Sequence, residues 1–146
     1  NFAFRKDGSV IVYDFGCIKT LKPEIVQAYK DAIIASLSED YAALDDALFR
    51  LGARVADKPS PGEPYYQVWR NIFFVPFLGG EDYDFSQAEL HLDVARNTPL
   101  LFKHISHFKP PVESLYIDRM MSGQYWIMKS MGVKAEFRSR LDRYLK

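Results

Sequence analysis

The sequence predicts a mainly α-helical fold with a small β-hairpin at its N-terminus, on three observations. Two short β-prone runs, 2–5 and 10–13, flank Lys6-Asp7-Gly8-Ser9, and Asp-Gly in a brief polar break is a hairpin signal. From Pro23 onward, apolar residues recur at the spacing of a helical face. The resulting order is one hairpin followed by five to seven helices, which is neither alternating βαβ nor an obvious four-helix bundle.

The elements follow in turn. Val10-Ile11-Val12-Tyr13 is continuously apolar, as expected of a strand buried on both faces. A hairpin this small needs something to pack on. Pro23 suits a first helical turn, where its missing N–H costs nothing, and Ile25, Val26, Tyr29, Ile33 and Leu37 then mark one face. Ser38, before Glu39 and Asp40, reads as the cap of a second helix with Tyr41, Leu44, Leu48 and Leu51 as its apolar positions and Gly52 as its stop. Residues 56–64 hold three prolines and a glycine and form a loop. An aromatic helix is expected over 65–75, an acidic break over 79–84, and a helix capped by Ser86 that runs to Arg96. A short helical piece follows Pro99. The last long helix spans 112–131, closed by Gly132, and a terminal helix spans 134–145.

Composition limits the function. Nearly half the 146 residues are apolar, enough for one domain with a hydrophobic core. Nineteen basic and nineteen acidic residues balance, so no general electrostatic attraction to nucleic acid is expected. The single cysteine, Cys17, excludes an internal disulfide and a multi-cysteine zinc site. No apolar run reaches the roughly 18 residues of a membrane-spanning helix. The chain opens at Asn1 without methionine and reads as a piece of a longer protein.

The segment that carries chemistry is 1–16: an asparagine, a hairpin, then Asp14-Phe15-Gly16. Protein kinases place two magnesium ligands in this way, an asparagine one hairpin upstream of an Asp-Phe-Gly. Magnesium prefers hard oxygen donors and takes few of them from protein. An Asn carbonyl oxygen and an Asp carboxylate at adjacent strand ends meet that need, and glycine lets the backbone turn after the ligand. Asp-Phe-Gly alone is a weak signal, and the hairpin with Asn1 strengthens it.

The wider sequence, from Asn1 through Asp14-Phe15-Gly16-Cys17-Ile18-Lys19-Thr20-Leu21, resembles the UbiB-like (aarF-domain) atypical kinases. Their late helix, which usually carries His-Arg-Lys and a pair of small residues, is similar to Glu113-Ser114-Leu115-Tyr116-Ile117-Asp118-Arg119-Met120-Met121-Ser122-Gly123. Asp118, Met120 and Ser122 depart from that pattern, whereas Arg119 and Gly123 keep it. The resemblance implies the C-terminal lobe of a protein-kinase-like α+β fold, with 1–21 as the metal-binding hairpin and 22–146 as a helical subdomain. It also implies Asp14 and Asn1 as ligands of magnesium and hence contacts of ATP. It implies an ATPase or phosphotransferase linked to ubiquinone or other isoprenoid lipids, intracellular and either cytoplasmic or peripheral to a bacterial inner, mitochondrial or plastid membrane. The catalytic base and the phosphate-holding lysine would lie before Asn1, so the chain alone is expected to be inactive. The alternative is a non-catalytic helical scaffold that binds lipid or a partner protein.

Other residues read more plainly. His104 and His107, at i,i+3, have the spacing for one metal, but no third ligand is evident, and Lys103 and Lys109 flank them. They read as surface or half-buried histidines. Cys17 reads as a buried thiol, 72–78 as a buried helix end, and Glu81, Asp82 and Asp84 as a solvated loop. The helix over 112–131 is apolar nearly all round, as buried helices are. Gly123 at its centre suggests close approach of a second helix, and a Met-rich lipid groove is the sharper alternative.

Overall fold

The computed structural model describes residues 1–14, 19–111 and 114–146. β1 (Phe2–Phe4) pairs antiparallel with β2 (Val10–Val12) in the register Phe2↔Val12, Ala3↔Ile11, Phe4↔Val10. Gly8, at φ +85°, turns the chain between them, a conformation glycine adopts without steric cost. Burial of β2 on both faces is not observed. Val10 and Tyr13 are exposed, and Ile11 and Val12 are half-buried. Among the described residues no helix packs broadly against the hairpin, and its apolar side chains are left exposed or half-buried.

α1 (Pro23–Ser38) and α2 (Tyr41–Arg50) form the most extensive contact of the fold. The face α1 buries is Ala28, Ala32, Ala35 and Ser36. The larger residues expected there are displaced to its flanks: Val26 is exposed and Ile25, Tyr29, Ile33 and Leu37 are half-buried. The reason is steric. Small side chains let two helix backbones approach closely, and α2 answers with Ala47, which is fully buried, beside Leu44 and Tyr41. Ser38 does not cap α2. Its hydroxyl donates back to the Ile34 carbonyl at 2.9 Å, the chain turns at Glu39 with φ +59°, and the Asp40 carboxylate accepts from the Ala43 N–H at 2.9 Å. Gly52 ends the unit at φ +74°, as its position predicts.

α3 (Glu63–Phe73) lays Tyr65 and Tyr66 into the same core, with Trp69, Leu100 and Phe108 packed around them. α4 (Val75–Leu78) follows at once. The run 72–78 is only partly buried: Ile72 and Pro76 are inside, whereas Phe73, Val75 and Leu78 are exposed.

A second, smaller core holds the C-terminal half together. β3 (Tyr83–Asp84) is joined later by β4 (Lys134–Ala135) in an antiparallel pair. Phe85, Ala88 and Tyr125 sit beneath it with Leu90, Met128 and Phe137. Two expected helices change here. Asp84, not Ser86, makes the cap, accepting from the Ser86 N–H at 2.9 Å and opening one 3-10 turn over Phe85–Gln87. α5 (Leu90–Arg96) starts only after it. The terminal helix loses its first residues to β4 and is reduced to α8 (Arg138–Leu145). α6 (Thr98–Lys103) and a 3-10 turn at Ile105–His107 lie between these segments.

α7 (Ser114–Ser130) is closed by Gly132 at φ +60°, but it is not a buried helix. Tyr125 is buried, whereas Tyr116, Met120, Met121 and Trp126 are about half exposed or more. Gly123 faces open space, and a Cβ added there would meet nothing. Among the described residues, the close helix crossing expected at Gly123 is therefore not seen. Among the described residues no helix is long and apolar enough to cross a membrane.

Candidate functional site

The hairpin is fastened at its turn and open at its other end. At the turn, the Asp7 carboxylate accepts from the Ser9 N–H at 2.9 Å and from the Ser9 hydroxyl at 2.7 Å. These two bonds hold the Asp7 carboxyl below its usual range. Arg5 and Ser9 close the turn with an N–H···O bond of 2.9 Å. At the open end the Tyr13 N–H donates to the Asn1 carbonyl at 2.9 Å. That bond carries the ladder one step beyond Phe2↔Val12, so Asn1 and Asp14 lie at the same end of the hairpin. Both are exposed. One offers an amide oxygen and the other a carboxylate, both hard donors suited to a magnesium ion that keeps part of its water.

Phe15, Gly16, Cys17 and Ile18 lie outside the described residues, so the turn expected at Gly16 and the burial expected of Cys17 carry no structural account. Where the described chain resumes, the Lys19 ammonium stands 5.2 Å from the centre of the Tyr116 ring, within cation–π range. The N-terminal part of α7 therefore lies beside the segment that leaves the hairpin. On that helix Arg119 is exposed. Glu113 and the side chains of Ser114, Leu115 and Asp118 lie outside what is described.

His104 and His107 come together, with ring centres 5.3 Å apart. His104 also packs on Tyr65 at 4.9 Å. Each buries an Nδ1 that has no hydrogen-bond partner among the described residues, and burial, with His107 and Lys103 nearby, pushes the His104 pKa down. Among the described residues no three His, Cys, Asp or Glu side chains converge as a metal site. Both side chains are half-buried and in contact with aromatic rings. In the acidic break, Glu81 and Asp82 are exposed and Asp84 serves as the cap described above.

Sequence reasoning missed the most heavily bonded side chain among the described residues. Arg54, 4% exposed, donates from Nε to Asp45 at 2.7 Å and from its terminal nitrogens to the carbonyls of His107 at 2.5 Å and Pro59 at 2.7 Å. Its guanidinium lies 5.3 Å from the centre of the Phe108 ring. The Tyr66 hydroxyl donates to the same Asp45 oxygen, and burial followed by Asp45 pushes the Tyr66 pKa up. Arg54 thereby ties α2, the proline-rich loop and the 3-10 turn at His107 into one unit. A signal did exist. Asp45 falls on the apolar side of α2 between Tyr41 and Leu48, and a carboxylate there needs a cation. No family model matches the chain, and no curated protein or solved structure matches it.

Proposed function

We propose that this chain is the C-terminal part of an ATP- and magnesium-dependent atypical kinase or ATPase of the UbiB-like kind, a kinase-like C-lobe tied to ubiquinone or isoprenoid lipid metabolism. The observation that carries the reading is the hairpin register, which puts Asn1 and Asp14 of an Asn–hairpin–Asp-Phe-Gly sequence at one exposed end. Asp14 would be the principal ligand and Asn1 the second. The metal, when bound, neutralises charge on the phosphates. The chain's part is to hold two oxygen donors on a pinned ladder, so that little ordering is left to complete on binding. The lysine and the catalytic base of such an enzyme are assigned upstream of Asn1. This assignment makes the protein intracellular, in the cytoplasm or peripheral to a membrane.

The test is calorimetric titration of the whole protein with magnesium and ATP. Asp14→Ala is expected to abolish magnesium-dependent ATP binding while the chain stays folded, because Asp14 is exposed. Unchanged magnesium-dependent affinity in that variant overturns the reading.

The exposed apolar side of α7, with Tyr116, Met120, Met121 and Trp126, favours a second reading. In it the chain is a non-catalytic scaffold for an isoprenoid lipid or a membrane-associated partner protein. Loss of lipid or partner binding in Met120→Glu, with no ATP binding in the unaltered protein, would select that reading.

A further inference from the structure

The chain has three histidines, and two of them meet in one place. His104 follows α6, His107 ends the 3-10 turn after it, and their rings stand 5.3 Å apart. His104 lies against the Tyr65 ring of α3 at 4.9 Å, and Phe108 stacks on that same ring at 5.1 Å. Aromatic contacts therefore seat the segment 104–109 on α3. Its backbone is fastened on another side. The His107 carbonyl accepts from the Val55 N–H at 3.0 Å and from the Arg54 guanidinium at 2.5 Å, and the Lys109 N–H donates to the Ala53 carbonyl at 2.9 Å.

This packing suits neutral rings. A neutral imidazole leaves one nitrogen without a proton, whereas a charged one carries a proton on both. Each ring buries its Nδ1 where no acceptor reaches it among the described residues. Charging either ring would place a donor there with nothing to receive it, which is costly. The neighbouring charges oppose it too. His107 and Lys103 act on His104, the Arg54 guanidinium lies 5.3 Å from the centre of the Phe108 ring, and Lys109 closes the segment. From α3 the facing group is the Tyr65 phenol, which burial pushes above its usual range and so keeps neutral. Asp45, the carboxylate that this network brings in, is already matched by Arg54 at 2.7 Å.

We propose that His104 and His107 form an acid-sensitive latch: neutral, they seat the segment 104–109 on α3, and charged, they release it and uncover the Tyr65 and Phe108 rings. α1 and α2 carry no histidine and stay packed. The direction follows from His104, whose pKa is held down by burial first and then by His107 and Lys103. The seated segment binds fewer protons there than the released one. The latch is therefore fully engaged above the ordinary histidine value of about 6.5, and is lost as pH falls from there through the folded value. It involves neither Asn1 nor Asp14, so it stands or falls apart from the reading of the hairpin.

Site-resolved hydrogen exchange by NMR, corrected for intrinsic exchange rates, tests this on the chain between about pH 8 and about pH 5, the window of histidine charge. Protection of the Val55, His107 and Lys109 amides should fall severalfold with acid, whereas amides within α1 and α2 should keep theirs. The double variant His104→Gln/His107→Gln, which takes no charge there, should abolish that fall. His91→Gln, at a ring bonded instead to the Tyr125 hydroxyl, should leave it intact. The ring resonances of the unaltered chain supply a readout that needs no substitution, since His104 should titrate below the value of a free histidine. An undiminished fall in the double variant overturns the latch, as does its loss in His91→Gln. Equal loss of protection throughout α1 and α2, or titration of His104 at or above the free value, overturns it as well.

Discussion

α1 and α7 are nearly equal in length, at 16 and 17 residues, and both are rich in apolar side chains, yet they are packed in opposite ways. α1 buries alanines and a serine and is pressed against α2. α7 carries larger apolar side chains, and leaves most of those described half-buried or exposed. The lesson concerns what decides burial. Close packing depends on how near two backbones can come, and small side chains set that distance. Large apolar side chains raise hydrophobicity without guaranteeing a partner. The fold's stability is accordingly concentrated in the α1–α2–α3 unit, with α7 held chiefly through Tyr125 and the second core.

That contrast can be broken or sharpened by substitution. The largest effect is expected at Arg54, which locks the first unit together. Arg54→Ala strips the cation from Asp45 and takes a donor from the carbonyls of Lys58, Pro59 and His107, and should cost about 3–5 kcal/mol. A denaturant midpoint within error of the parent would show that the network contributes nothing net. A smaller loss is expected at the α1–α2 crossing. Ala47→Leu adds bulk where no surface is exposed and should cost about 1–3 kcal/mol, again read from the midpoint at constant slope. The smallest change, of opposite sign, belongs to α7. Gly123→Ala meets open space and should stabilise the chain by up to about 1 kcal/mol through helix propensity. A clear loss of stability there would mean that α7 is covered after all and would erase the contrast.

Some of this architecture was legible in the sequence. The hairpin fell where Asp7-Gly8 placed it, the start of α1 where Pro23 did, and two helix ends where Gly52 and Gly132 did. These signals are local, since the backbone conformation of one or two residues decides them. The misreadings share a different cause. Ser38 and Ser86 carry the chemistry of a cap, but a carboxylate close by, Asp40 or Asp84, is the one positioned to accept. β4 exists only because Tyr83–Asp84 lies alongside it, a pairing no local pattern encodes. Gly123 suggested a close crossing, yet glycine is equally compatible with empty space, and only the arrangement of neighbouring helices separates the two. Of the candidate site, the shared position of Asn1 and Asp14 was legible because it follows from hairpin register. The Arg54 network was not, because its acceptors are mostly backbone carbonyls brought together by the fold.

The hairpin's exposure has a consequence for how the chain behaves in company. A two-stranded sheet has two outer edges, and among the described residues each presents backbone N–H and C=O groups with no ladder partner. Here those edges are flanked by exposed Phe2, Phe4 and Val10. Folded proteins usually guard such edges with prolines or inward-pointing charges, and the charges of this hairpin sit at its two ends, Arg5, Lys6 and Asp7 at the turn and Asp14 at the open end. The N-terminal ribbon is thus a template for strand addition. If the chain self-associates on concentration, strand pairing at this ribbon is the first contact to look for.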